Sequence, residues 1–335
     1  MRRRTFLGAA SVSLAGACGC ANVWSRTETI IQIPNDHQIS NSNVVDLSGF
    51  ISNSIRSGVT LNFGEGIFTL SQTLLIPKDV RNVSILGAGS RLRKSGGFPL
   101  IRLNGDRNTL HGVILQGECS SDVQCDPNVK AGSLLLINGS FNNIKNSTFS
   151  NSLSNGVHLD GQKSRCEGNE VVLCSINNNA RVGLAMARAR STKVSDCVIS
   201  SAGFEALTLD LGTVSSVIER CVMSRSNRSG GIGTVGYDGC RDILISNNSF
   251  EESADTSKAH IRAGNAIGLS ERIAITGNRF GGRNVAINLR GTKKSTGGTR
   301  AMQIYGNEFS ASRSDSILFD SDDSNIEIGS NKFKD

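Results

Sequence analysis

Aromatic residues are scarce: tryptophan occurs once, at Trp24, tyrosine twice, and all aromatics make up 5% of the chain. That supply excludes a broad stacking platform for sugars, though it leaves room for a narrow cleft. The four histidines (His37, His111, His158, His260) are scattered, and none of the nine cysteines has zinc spacing, which excludes a Cys/His metal centre. The four prolines (Pro34, Pro77, Pro99, Pro127) all precede residue 128. No apolar run reaches the ~20 residues of a membrane span. The net charge is +7, or +4 once Arg2, Arg3 and Arg4 leave with a leader of residues 1–17. Such a mild excess suits an acidic polysaccharide and equally an ordinary solvated face, and it gives no footprint for nucleic acid. A hydrophobic share of 38% excludes general disorder.

What the chain has in abundance is a repeated phrase. A hydrophobic residue, two or three polar ones and a large apolar one recur as Ile245–Phe250, Ile275–Phe280, Ile304–Phe309 and Ile328–Phe333. Looser copies run Ile144–Phe149, Cys166–Val171, Val194–Ile199 and Ile218–Met223. Their fourth positions are Ser147, Asn169, Cys197, Cys221, Asn248, Asn278, Asn307 and Asn331, spaced 22 to 30 residues apart. A period in that range marks a stacked array whose single unit cannot bury its own apolar face.

Apolar residues alternate within the phrase, which is the strand period. A second strand follows in most units: Gly156–Asp160, Ala206–Asp210, Asn265–Leu269, Val285–Leu289 and Ser316–Asp320. Short strands parted by Gly, Asn and Ser turns, one coil per unit, describe an all-β, single-stranded parallel β-helix (a solenoid) of about ten coils. Its fourth-position residues form an internal ladder at about 4.8 Å spacing, where Asn satisfies buried amides from coil to coil. Phe149, Phe250, Phe280, Phe309 and Phe333 form an apolar column. One domain over residues 44–335 follows, since a solenoid lengthens without a second core.

The opening segments Val59–Leu70, Thr73–Pro77 and Val83–Gly89, with Phe204–Thr213 and Gly230–Asp238, resemble the pectin-lyase-like superfamily of right-handed parallel β-helices, and its tailspike-type and bacterial polysaccharide-degrading members above all. The resemblance covers residues 44 to 335 and implies a right-handed helix. It leaves the reaction open, because that architecture hosts lyases, hydrolases, epimerases and inert fibres. The chain lacks the Asp-Asp with Gly-His-Gly of polygalacturonase-like helices, the Arg-x-Pro-x-x-Arg of pectate lyase-like ones and the Tyr-Gly-x-Asp-Pro-His of alginate epimerase-like ones. No motif supports calcium-assisted elimination, so no cofactor or metal is expected, although a carboxylate cluster can bind Ca²⁺.

Arg3-Arg4-Thr-Phe-Leu7, the apolar stretch Gly8–Ala17 and the small residues Ala15-Gly-Ala17 read as a twin-arginine-type signal, residues 1–17, that engages the twin-arginine export machinery. A polar linker, residues 18–43, follows. Cys18 offers a second reading as a lipid anchor. The expected location is periplasmic or secreted, in a bacterium. In that oxidising setting Cys119 and Cys125 can close a local disulfide. Cys197 and Cys221 read as buried free thiols on the ladder, and Cys166, Cys174 and Cys240 leave an odd count. Gly231-Ile-Gly-Thr-Val-Gly236 fits the dinucleotide string, yet no helix follows it, so it reads as a Gly-rich strand.

Chemistry must lie on the outer face. Alternation turns His158 and Asp160, Ala185 and Ala187, and Thr208 and Asp210 outward. Asp160 and Asp210 then sit two coils apart, about 9 to 10 Å along the stack, across a trough of two alanines. That gap suits an inverting glycosidase, one carboxyl as general acid and the other activating water. The catalytic candidates are Asp210, Asp160 and Glu205, although alternation would turn Glu205 inward. The substrate-binding candidates are His158, Arg188 at the rim, Tyr237, Asp238 and Arg290. The plainer alternative for Asp160, and for Asp210, is turn capping, since Asp before a Gly turn commonly bonds it. Asp320, in the same register, is the internal comparison. At the level of function, the sequence favours an exported polysaccharide-degrading enzyme, a hydrolase before a lyase, over a non-catalytic glycan-binding or surface scaffold.

Overall fold

A computed structural model of the protein describes residues 29–34, 47–94, 96–119, 132–162, 164–264, 268–282, 285–289, 298–311, 313–319 and 325–334. Each coil contributes one short strand to each of three parallel sheets, visited in the order A, B, C. Sheet A has 13 strands, sheet B 11 and sheet C 10. Every strand pairs with its counterpart one coil away, in parallel and in register. The expected solenoid of about ten coils is the fold.

The A-to-B corner shows why the repeat has its composition. One residue there adopts the left-handed conformation in rung after rung: Asn146, Leu173, Asp196, Arg220, Asn247, Gly277, Gly306 and Ser330, with φ between 47° and 64°. Gly, Asn and Asp tolerate this region best, which accounts for their frequency in the phrase. The residue after it points inward and makes the ladder. The Asn248 backbone N–H and Nδ2 both donate to Asn278 Oδ1 at 2.9 and 3.0 Å, while Nδ2 also donates to the Ile218 carbonyl at 3.0 Å. Asn278 repeats the pattern on Asn307, and Asn307 on Asn331. One side chain thus answers an amide and a carbonyl of the preceding rung and links to the side chain of the next, as buried polar groups must be answered.

The ladder's earlier membership needs correction. Cys174, in the phrase Val171–Ile176, is its member in the coil assigned to Asn169, and the column runs Ser147, Cys174, Cys197, Cys221, Asn248. Asn169 belongs to a second ladder at the C-to-A corner, where Asn108 Nδ2 donates to Asn142 and Asn142 Nδ2 to Asn169. The two corners carry the same residue type for the same reason, and the looser phrase was matched one corner early. Phe250, Phe280, Phe309 and Phe333 stack with centroids 4.8, 5.1 and 4.8 Å apart. Phe149 shares their column, separated by Ile176, Ile199 and Met223.

Two further expectations change, and one element is added. Residues 29–33, placed in a polar linker, form the strand Thr29–Ile33 paired with Val59–Phe63. The helix Leu47–Ser54 packs Leu47 and Ile51 onto the first coil and closes the end of the core. The sheet C strand of the coil assigned to Asn265–Leu269 is Ala259–Ala263, and Leu269 instead opens the sheet A strand Leu269–Thr276. The Gly-rich string is indeed a sheet C strand, Gly233–Tyr237. No helix of the described residues is long and apolar enough to cross a membrane. Cys119 is disulfide-bonded; Cys125, like the leader, Cys18, Arg290 and Asp320, lies outside the described residues.

Candidate active site

The outer face of sheet C carries the expected row. Asp160 pairs with Ala187, and Ala187 with Asp210, so the two carboxylates stand two rungs apart with alanines between them. His158, Ala185, Thr208 and Gly236 form the parallel column alongside. Asp238 continues the carboxylate row one rung beyond Asp210, since Leu209 pairs with Tyr237. Tyr237 itself is placed differently from the expectation: it is 1% exposed inside the helix, with its hydroxyl 3.1 Å from Thr299 Oγ1. It pairs with inward Leu209, so it faces away from the trough.

Strict alternation fails at the B-to-C corner, and Glu205 benefits. Ala206 and Leu207 are both fully buried, so the residue before them swings to the outer side. The equivalent position of Ala206 one coil earlier, Gly183, confirms the inward direction: a Cβ there would lie 2.6 Å from core Ile199. Glu205 Oε1 accepts the Ile232 N–H at 2.7 Å. Gly231 makes that contact feasible, because at φ 98° its missing Cβ would sit 2.9 Å from Glu205 Oε1.

Hydrogen bonding sorts the four acids. Asp160 Oδ1 accepts the Gln162 N–H at 2.8 Å, the bond expected of an Asp before a Gly turn. Asp238 Oδ1 accepts the Gly268 N–H at 3.2 Å, and Asp238 is 5% exposed. Asp210 differs. Its backbone carbonyl takes the turn bonds from Thr213, while its carboxylate has no hydrogen-bond partner among the described residues. Burial, then the neighbouring charges of Glu205 and Asp238, push its carboxyl up to about 7. This group is half-buried, unpaired and poised to hold a proton near neutrality. His158 is held below its ordinary range by burial, against the pull of Asp160, with Arg181 adding to the depression.

Comparison with known proteins follows the fold. The family described as a right handed beta helix region matches residues 100–256. An endo-xylogalacturonan hydrolase of Aspergillus tubingensis superimposes with a TM-score of 0.67 at 10% identity, over 91% of this chain and 92% of that one. The chain is a right-handed parallel β-helix. A tailspike protein of the E. coli bacteriophage HK620, solved with a pentasaccharide, superimposes with a TM-score of 0.55 at 14% identity. There the match spans 75% of this β-helix and about half, 48%, of the tailspike. The A-module of a mannuronan C-5 epimerase of Azotobacter vinelandii gives 0.51 at 12% identity, over 87% and 92% of the two chains. No curated protein matches the β-helix by sequence.

Several residues of this face escaped the sequence reading. Arg181 acts on His158 and lies with its guanidinium 5.8 Å from the Phe204 ring centre. Arg262 pairs with Gly236 and so extends the outer column of Thr208. Only the register of whole coils assigns either residue to the trough, because each is distant in sequence from the Asp-ending strands. Among the described residues no three His, Cys, Asp or Glu side chains are grouped to hold a metal ion.

Proposed function

We propose that this protein hydrolyses a glycosidic bond in a polysaccharide laid along the outer face of sheet C, with Asp210 as the general acid. The observation that carries this reading is the Asp210 carboxyl, half-buried, without a hydrogen-bond partner among the described residues and raised to about 7. A carboxylic acid still protonated near neutral pH can deliver its proton to a departing glycosidic oxygen. Asp160, two rungs away at about 9.6 Å along the stack, acts as the base that draws a proton from water. One of its oxygens stays on the Gln162 N–H and the other is free to face the gap. That separation stands at the upper edge of the spacing that leaves room for the water of an inverting reaction, about 6.5–9.5 Å between carboxyls. Ala185 and Ala187 keep the space between the acids open.

A second reading rests on Asp238. It stands one rung from Asp210, at about 4.8 Å, close to the 5–5.5 Å of a retaining pair. Its charge acts on Asp210, after burial and the charge of Glu205. Its near-complete burial and its bond to Gly268 argue for a supporting role instead.

Export through the twin-arginine machinery, to the periplasm or beyond, belongs to the same proposal. The leader-like residues 1–17 and the disulfide at Cys119 support it. A polysaccharide panel tests the whole reading. New reducing ends identify a hydrolase, absorbance of unsaturated uronates identifies a lyase, and binding without product identifies a scaffold and ends the proposal. Proton NMR of the first-formed anomer then separates Asp160 from Asp238 as the partner of Asp210.

A further inference from the structure

Where the sheet C strands leave the trough, the chain turns and encloses a hollow of about 640 Å³, within the usual range for small-ligand sites. Gly161, Ser164, Leu211 and Gly212 contribute to its walls, and Arg188 and Arg190 flank it. The position is set by the register. Arg188 directly follows Ala187, the residue between Asp160 and Asp210, and its backbone N–H donates to the Asp210 carbonyl at 3.2 Å. Ala189 is fully buried, so Arg188 and Arg190 on either side of it both turn outward, and both are exposed.

Their charges are uncommitted. Neither guanidinium forms an ion pair or a hydrogen bond among the described residues. The hollow's acid, Glu167, is already held at 2.5 Å by its other arginine, Arg165. Two unpaired guanidiniums therefore face a small-molecule-sized hollow one residue from the alanine that separates the proposed acid and base. A guanidinium presents paired donors that match a carboxylate.

We infer that Arg188 and Arg190 form an anion-binding subsite that selects a polysaccharide carrying a carboxylate on the sugar next to the cleaved bond. The inference rests on the glycan reading of the trough, and its test is arranged so that the two can fail separately. The full-length Asp210→Asn protein, silent in turnover, is titrated calorimetrically with oligogalacturonate, oligomannuronate and oligoglucuronate. Each is compared with its carboxyl-reduced counterpart, in which the acid is replaced by a neutral alcohol. At least one charged oligomer should bind tenfold or more tightly than its reduced form. Arg188→Ala with Arg190→Ala should erase that preference, and Arg188→Lys with Arg190→Lys should retain part of it. Melting temperatures of these surface variants should match the parent. Equal binding of charged and reduced forms, or a preference that survives the double alanine variant, overturns the subsite. Cleavage of a uronate-containing glycan at an unchanged rate by the double alanine variant also overturns it while leaving the hydrolase. Arginine-dependent uronate binding without hydrolysis by the wild-type protein keeps the subsite and removes the hydrolase.

Discussion

Two columns of polar residues climb this helix, one per rung, and their chemistry is opposite. Inside, Asn248, Asn278 and Asn307 spend both side-chain groups on backbone amides and carbonyls of adjacent rungs. Outside, the row Asp160, Ala187, Asp210, Asp238 includes one carboxylate bonded to its turn, one bonded to Gly268 and one, Asp210, bonded to nothing described. The fold explains every atom of the amide column and leaves Asp210 unexplained. A half-buried acid that destabilises its own ionised form is retained at a cost, and such costs gather at functional sites.

The largest expected effect lies on Asp210. Asp210→Asn should lower turnover 10²–10⁴-fold, while the melting temperature above pH 7 stays level or rises. An unchanged rate per folded molecule would make Asp210 as structural as the ladder. Asn278→Ala is the reverse case. It leaves the Asn248 donors and the Ile245 carbonyl unanswered, and chemical denaturation should show a loss of about 3 kcal/mol. Activity per folded molecule should persist, and a large loss of rate at full stability would break the division between the columns.

Asp160 sharpens the comparison because it sits in both classes. Asp160→Asn keeps an acceptor for the Gln162 N–H but removes the base, so the rate should fall about 10²-fold with little change in stability. Retained activity would leave Asp160 a turn cap and move the partner role to Asp238.

Proton linkage gives a smaller effect with a definite sign. The folded Asp210 holds its proton up to about 7, whereas the unfolded side chain releases it near 3.8. Between those values the folded state binds more protons, so this group's contribution favours folding below pH 3.8 and fades as pH rises through 7. The difference in stability between wild type and Asp210→Asn, measured from pH 4 to 8, should follow that course. A flat difference would contradict the shift. The smallest effect is expected in the thiol stretch of the inner column. Cys197 Sγ donates to carbonyls at 3.2 and 3.5 Å and also meets the Cys174 amide and the thiols of Cys174 and Cys221, contacts that a hydroxyl can keep, so Cys197→Ser should change stability by less than about 1 kcal/mol.

The fold was legible because its physics is local and repeated. One left-handed corner residue, one inward polar or thiol residue and one inward apolar residue recur at the A-to-B turns from Asn146 onward, and eight copies make the period plain. The mistakes fell where local signals coincide. Asn169 looked like a member of the first ladder because the C-to-A corner imposes the same requirement on Asn108, Asn142 and Asn169. Glu205 defied alternation because Ala206 and Leu207 both turn inward at a corner no period marks. Tyr237 obeys alternation, and its adjacency to Asp238 in sequence is what places it on the opposite, inner face. Of the site, the Asp160–alanine–Asp210 register was readable from equal offsets within the repeat. The hydrogen-bond state of each acid was not, because Gln162, Ile232 and Gly268 become partners only once the coils are closed.

The separation of the outer acids is counted in whole coils. Each coil contacts mainly its two neighbours, so the gain or loss of one repeat by unequal exchange in the coding sequence need not disturb the rest. Such an event between Asp160 and Asp210 would move them by a fixed step of about 4.8 Å, from the two-rung gap to one rung or three. The stereochemical outcome of a carboxylate pair depends on its spacing. In a scaffold of this kind that outcome can be inherited as an integer, altered in a single genetic event and restored by another.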